Sequence, residues 1–168
     1  CLRAGFVNTT PDGNYIISFY HSGQLWKIDA QTGKVIWKMG RGADFAFTGK
    51  NIRAFHESHA VHFTKDHQLL LFENGLDVQQ SRVLSYQLDE QSHKAATVSA
   101  TVLPKDLYSP RMGSAYRITD STVLICSSQQ MALALLTTGG QVIWRCRLGF
   151  KPYRAEFIAR KSFYTIPN

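Results

Sequence analysis

Apolar and polar positions recur along this chain with a long period. Asp12-Gly13-Asn14 leads into Tyr15-Ile16-Ile17-Ser18-Phe19, Asp66-His67-Gln68 into Leu69-Leu70-Leu71-Phe72, and Asp120-Ser121-Thr122 into Val123-Leu124-Ile125-Cys126. The three aspartates stand 54 residues apart. Each heads a short apolar run bounded by turn residues, the pattern of a strand buried on both faces. A repeat of this kind decides the fold before any single motif is considered.

A second strand follows each time: Leu25-Trp26-Lys27-Ile28-Asp29, Val83 to Asp89, and Met131-Ala132-Leu133-Ala134-Leu135. Next come the turns Gln31-Thr32-Gly33, Gln91-Ser92-His93 and Thr138-Gly139-Gly140, and then a third strand. Two of these third strands are near copies, Gly33-Lys34-Val35-Ile36-Trp37 and Gly140-Gln141-Val142-Ile143-Trp144. Stretches of strand length also precede each aspartate, at Ala4 to Val7, Ser58 to Phe63 and Gly113 to Ile118. Four strands per unit joined by hairpins make a propeller blade.

The chain is therefore expected to be all-β, a partial β-propeller of about three four-stranded antiparallel blades forming one domain over residues 1–168. The units fall at about 1–53, 54–107 and 108–150, with 151–168 starting a further strand or forming a tail. Gly40 to Arg53 and Leu103 to Arg111, rich in Gly, Pro and charge, read as inter-blade loops. Blade faces are apolar and need covering, so three blades leave two faces open. Missing blades are expected from further sequence or from another chain.

Composition sharpens this picture only in places. A hydrophobic share of 44% with 18% charged residues is that of a folded chain. The chain opens on Cys1-Leu2-Arg3 without an initiator Met and reads as a piece of a longer precursor. No apolar run approaches the roughly 20 residues that span a bilayer. Net charge is +7, and from Gly139 onward Arg145, Arg147, Lys151, Arg154, Arg160 and Lys161 face only Glu156. No nucleic-acid-binding module accompanies this charge, so a solvated outer strand and tail, or a small-anion site, accounts for it better. Cys1, Cys126 and Cys146 lack metal-ligand spacing, and the last two lie in apolar strands as expected buried free thiols.

Taken together, the segments resemble the arylsulfotransferase family of bacterial six-bladed propellers. The resemblance is carried by Gly13 to Phe19, Trp26-Lys27-Ile28-Asp29, Thr32 to Trp37, Asp44 to Thr48, His59, Leu70 to Gly75 and Ser81-Arg82-Val83-Leu84. It continues through Leu88-Asp89, Ser109 to Ala115 and Tyr153-Arg154-Ala155. It implies the C-terminal half of a periplasmic or secreted propeller that moves sulfuryl groups between phenols, from a phenolic sulfate ester to a phenol acceptor, without a nucleotide donor. A histidine accepts the group, His and Arg side chains surround it in the central channel, and no cofactor or metal is called for. The absence of a Gly-rich phosphate loop agrees. The alternative reading is a non-catalytic propeller that binds a ligand or protein partner.

Three residues match the family's site. His59 precedes Glu73-Asn74-Gly75 at the spacing of the family's active-site His and is expected on the innermost strand of the second blade. Arg82 matches the Arg of the Ser-Arg pair that follows the Asn-Gly turn, and Arg154 offers a second oxyanion donor. Alternation along a strand places His56 and His62 on one face and His59 on the other, which disfavours a three-histidine metal cluster. Asn74 and Gly75 read as turn formers. Glu73 stands for the family's Asp as a weak general base or a cap. His21, His67 and His93 read as solvated. Arg3 occupies a position where relatives carry a His, and Met112 to Ala115 holds none.

Overall fold

The computed structural model describes residues 4–49 and 55–158, arranged as three successive sheets. The first contains β1 (Ala4–Thr9), β2 (Tyr15–Phe19), β3 (Gln24–Ile28) and β4 (Val35–Gly40), in that spatial order. The second contains β5 (Ala46–Thr48), β6 (Ser58–Phe63), β7 (Leu69–Glu73), β8 (Arg82–Asp89) and β9 (Lys94–Val102), ordered β5-β9-β8-β7-β6. The third returns to the simple meander with β10 (Ser114–Thr119), β11 (Thr122–Ser127), β12 (Ala132–Thr137) and β13 (Val142–Arg147). Each repeat aspartate sits in the turn between the first two meander strands of its sheet. Cys1, Arg3, Arg160 and Lys161 lie outside the described residues.

The middle sheet departs from the four-stranded expectation. The segment 40–53, read above as a loop, contributes β5, which runs parallel to β9 and pairs Ala46, Phe47 and Thr48 with Lys94, Ala95 and Ala96. Aromatic anchoring is the reason. Phe45 is buried with its ring 5.1 Å from that of Trp37, while Phe47 packs against Phe55 and Tyr86 at 6.0 and 5.5 Å. With those rings fixed, the intervening backbone is held against the edge of β9.

The turns explain why two units share an Ile/Leu-Asp ending. Asp29 Oδ1 accepts bonds from the backbone of Gln31 and Thr32 and from the Thr32 hydroxyl. Asp89 accepts the equivalent set from Gln91 and Ser92. A carboxylate that gathers the amides of the next residues fixes the turn locally.

Two apolar cores lie between the sheets. Ile16, Leu25, Trp37 and Met39 of the first blade meet Leu69, Leu71, Leu84 and Tyr86 of the second. Leu70, Phe72 and Val83 meet Ala115, Val123, Ile125, Ala134 and Leu136 of the third. Successive residues of β7 thus enter different cores, and all five are buried. Its counterpart β2 is buried more fully on one face only, and so is β11 apart from Cys126. Beyond them Val7 (54% exposed), Ile143 (53%) and Trp144 (49%) remain open. Cys126 is a buried free thiol, as expected, but Cys146 is half-exposed because β13 is an outer strand with no neighbour over it.

A polar clamp also joins the first two blades. Lys27, itself buried, places Nζ 2.7 Å from Asp12 Oδ2 and 2.9 and 2.7 Å from the two Glu90 oxygens. The Trp37 indole N–H donates to the same Glu90 carboxylate at 2.9 Å.

Candidate functional site

The first meander strands of the three sheets are β1, β6 and β10, and β6 packs beside both of the others. Their side chains, with the segment 154–158, line an open cavity of about 800 Å³. Phe6 and Asn8 of β1, His62 of β6, Tyr116 and Arg117 of β10, and Arg154 give it a mixed aromatic and polar lining. The charged residues of its lining are mixed as well, with Lys65 against Asp66, Asp120 and Glu156.

His59 is on β6 as expected, but it is not among the residues that line this cavity, although its neighbour Ala60 is. It pairs with Phe72 on β7, and its ring lies 5.2 Å from that of Tyr20 at the end of the first blade. The Tyr20 hydroxyl donates to the Pro110 carbonyl at 2.7 Å, so this ring bridges the first blade and the loop leading into the third. Burial lowers the His59 pKa to about 4, leaving the imidazole neutral at pH 7. Among the described residues its ring has no hydrogen-bond partner.

Strand alternation does not hold through β6. His59 pairs with Phe72 and His62 with Leu70, so three steps on β6 oppose two on β7. The extra residue is a β-bulge, and Ala60 within it has φ +51°. His62 is therefore not placed by simple parity from His59, which corrects the expected split of faces. Its ring stacks on Tyr116 (centroids 5.8 Å apart, planes 16° apart), and Nδ1 lies 2.9 Å from the Ala60 carbonyl oxygen. Burial, the larger influence, lowers the His62 pKa, opposed by the Ala60 bond and by Glu156. His56 precedes the strand. Among the described residues no group of three or more His, Cys, Asp or Glu is placed to hold a metal.

Arg82 is turned toward Glu73. Its Nε donates to Glu73 Oε2 and its Nη2 to Oε1 at 3.2 Å, and Glu73 also accepts the His56 backbone N–H at 3.0 Å. The Glu73 side chain is 1% exposed and that of Arg82 13%. Glu73 therefore holds an ion pair and a backbone amide. The pairing follows from the β7–β8 register, which sets Glu73 opposite Arg82. Asn74 ties that turn to the next loop through bonds to the Ser109 and Met112 carbonyls at 2.7 and 2.8 Å. Gly75 has φ +66°, and a Cβ there would collide with the Gln80 carbonyl, so the turn requires glycine.

Arg154 lines the cavity at 48% side-chain exposure, 3.0 Å from Glu156 and over the Phe6 ring. Its segment is anchored beside β10, where Ser114 Oγ accepts the Ala155 N–H at 2.9 Å. No hydrogen bond or ion pair links His59, Arg82 and Arg154 among the described residues. The cavity instead assembles residues that the sequence reading passed over or set aside: Tyr116, Arg117 and His62. Arg117 donates to Ser99 Oγ at 3.3 Å, and its Nε is buried without a hydrogen-bond partner among the described residues. Of the remaining histidines, His93 is half-buried against Phe45 at 5.2 Å, and not the solvated residue expected. No described helix is long and apolar enough to cross a membrane.

Solved structures of similar fold have low sequence identity. A protein of unknown function from Bacteroides caccae superposes with a TM-score of 0.65 at 16% identity, covering 94% of this chain and 50% of that one. The periplasmic gluconolactonase of Pseudomonas aeruginosa gives 0.58 at 14%, covering 93% and 42%. A putative 6-phosphogluconolactonase from Bacteroides fragilis gives 0.58 at 13%, with the same coverage. The chain thus spans half or less of the length of these proteins, and at such identities the likeness is one of fold. No curated protein matches it in sequence. A family model described as Arylsulfotransferase (ASST) does match, over residues 4–149, and on that extent the chain belongs to the arylsulfotransferase family.

Proposed function

We propose that the intact protein moves a sulfuryl group from a phenolic sulfate ester to a phenol without a nucleotide donor. One observation carries the reading: the family match spans a strand, β6, that bears two imidazoles, one of them lining the cavity. A neutral imidazole is a competent nucleophile near pH 7, and fixed cations stabilise charge spread over a transferring group's oxygens. The family pattern points to His59 within that strand. In this reading Arg154 donates to a sulfuryl oxygen from the channel. Arg82, with Nε and Nη2 held by Glu73, has its remaining N–H groups left for the same task.

The remaining blades, from further sequence or another chain, complete the channel. By the family resemblance the protein is placed in the periplasm or outside the cell. A second reading, a propeller that binds a ligand or partner without turnover, is favoured by one feature: neither β1 nor β10 carries a histidine. Transfer from 4-nitrophenyl sulfate to phenol by the intact protein separates the two. Release of 4-nitrophenolate that depends on the acceptor, and is lost in His59→Ala, supports transfer through the family's position. Release that survives in His59→Ala removes His59 from the chemistry, and no release at all selects the binding reading.

A further inference from the structure

We propose that His62 presents the reactive nitrogen of this channel, through Nε2. The inference rests on the sulfuryl-transfer reading above and deepens it. It starts from the bond between Nδ1 and the Ala60 carbonyl at 2.9 Å. A carbonyl oxygen has no proton to give, so Nδ1 carries the hydrogen. In the neutral ring that leaves the lone pair on Nε2, for which no hydrogen-bond partner exists among the described residues. The tautomer needed for attack from Nε2 is thus fixed by the backbone of the bulge.

The bulge and the neighbouring strand orient the ring as well. Ala60, at φ +51°, provides both the extra residue that re-aims His62 and the carbonyl that holds it. Tyr116 stacks on the ring at 16° between planes, which fixes its tilt. His62 lines the cavity of about 800 Å³, along with Arg117 and Arg154, whereas His59 does not. His59 also lacks a bond to set its tautomer, and its ring packs against Tyr20. A fixed proton, a fixed plane and access to the cavity coincide at His62.

The step balances without a further reactant. Nε2 attacks sulfur, the S–N bond forms, and the S–O bond to the aryl group breaks with its electron pair leaving on the phenolate. The ring gains positive charge, which the Ala60 carbonyl stabilises through the retained Nδ1–H. An acceptor phenol then attacks sulfur, the S–N bond breaks to restore neutral imidazole, and the phenol proton passes to the first phenolate.

The test uses the intact protein and 4-nitrophenyl sulfate. The protein is quenched in alkali, and the peptide holding both histidines is fragmented in a mass spectrometer to locate the added sulfuryl group. The expected position is His62. In parallel, His62→Asn keeps an amide N–H for the Ala60 carbonyl and removes Nε2, and is expected to lower turnover at least about 1,000-fold. A label on His59, or full turnover by His62→Asn, overturns the inference and leaves sulfuryl transfer standing. No turnover and no label in the unaltered protein overturns both. The labelling is done on the unaltered protein, so it decides the matter even where the variant is poorly folded.

Discussion

The clamp at Lys27 permits a worked prediction about what joins the first two blades. Lys27→Met keeps an apolar stem of similar length and removes the ammonium. The wild-type ammonium contacts Asp12 at 2.7 Å and Glu90 at 2.9 and 2.7 Å. Its own side chain is 5% exposed, but those of Asp12 and Glu90 are 51% and 37% exposed. Breaking a fully buried pair costs about 3–5 kcal/mol, because the abandoned charge stays dry. Here both carboxylates regain water when released, and the desolvation cost of the ammonium disappears as well. Single charge-assisted bonds contribute about 1.5–3 kcal/mol, which places the net loss near 2 kcal/mol at pH 7. Urea unfolding of the intact protein, followed by tryptophan fluorescence, measures it. Combination with Glu90→Gln should give a coupling of about 1 kcal/mol. The pH dependence adds a check of sign. At Asp12 burial works to raise the pKa, but bonds from Lys27, Thr10 and Asn14 outweigh it and hold the carboxyl well below its ordinary 3.8. Such a group contributes stability above its unfolded pKa and loses it as pH falls. The wild-type advantage should therefore be steady around neutrality and shrink below about pH 4. A loss under roughly 0.5 kcal/mol, the level of an exposed pair, with no coupling to Glu90, would refute the clamp.

Two further outcomes follow from the second blade. Arg82→Ala strands the buried Glu73 carboxylate and is expected to cost about 3–5 kcal/mol in urea unfolding, with Arg82→Ala/Glu73→Gln recovering most of it; equal stability of single and double variants would show that the pair does not bear on the fold. The His59 ring, held by burial near a pKa of about 4, binds fewer protons than the unfolded chain from there up to 6.5. Stability should therefore rise with pH across that window and flatten above it, His59→Gln should lessen this rise and leave the part due to His62, whose pKa burial also lowers, and an NMR titration placing the His59 ring above 6 would contradict its burial.

The blade plan was legible because three aspartates at one spacing each announce the same apolar strand, and hairpins keep such strands adjacent. What escaped was set by pairing that no local pattern records. β5 is three residues long and joins β9 in parallel, without a hairpin signal, so only its flanking Phe45 and Phe47 hinted at order. The bulge at Ala60 is equally silent, since an alanine at positive φ leaves no compositional mark, yet it cancels the parity by which His62 was set aside. Arg82 was recognised as a cation near the turn, whereas its partner Glu73 depended on the β7–β8 register. His59 lies on the inner strand as read. The cavity takes its lining from the next residues of that strand, Ala60 to Phe63, and from the segment carrying Arg154, which no strand pattern announces.

Neighbouring residues of β7 belong to different cores, and this has a consequence for how the chain is made. Until β7 is added, the side of the first blade that carries Ile16 and Leu25 is bare; β7 conceals it and in the same stroke presents Leu70 and Phe72. The third blade conceals those in turn, and leaves its own outer side bare. Synthesis is therefore a relay of shelter in which each new blade protects its predecessor and inherits its exposure. An intermediate of this kind is open to aggregation at every stage. The hazard lasts until each bare side is covered, so selection acts on that covering as much as on any blade within it.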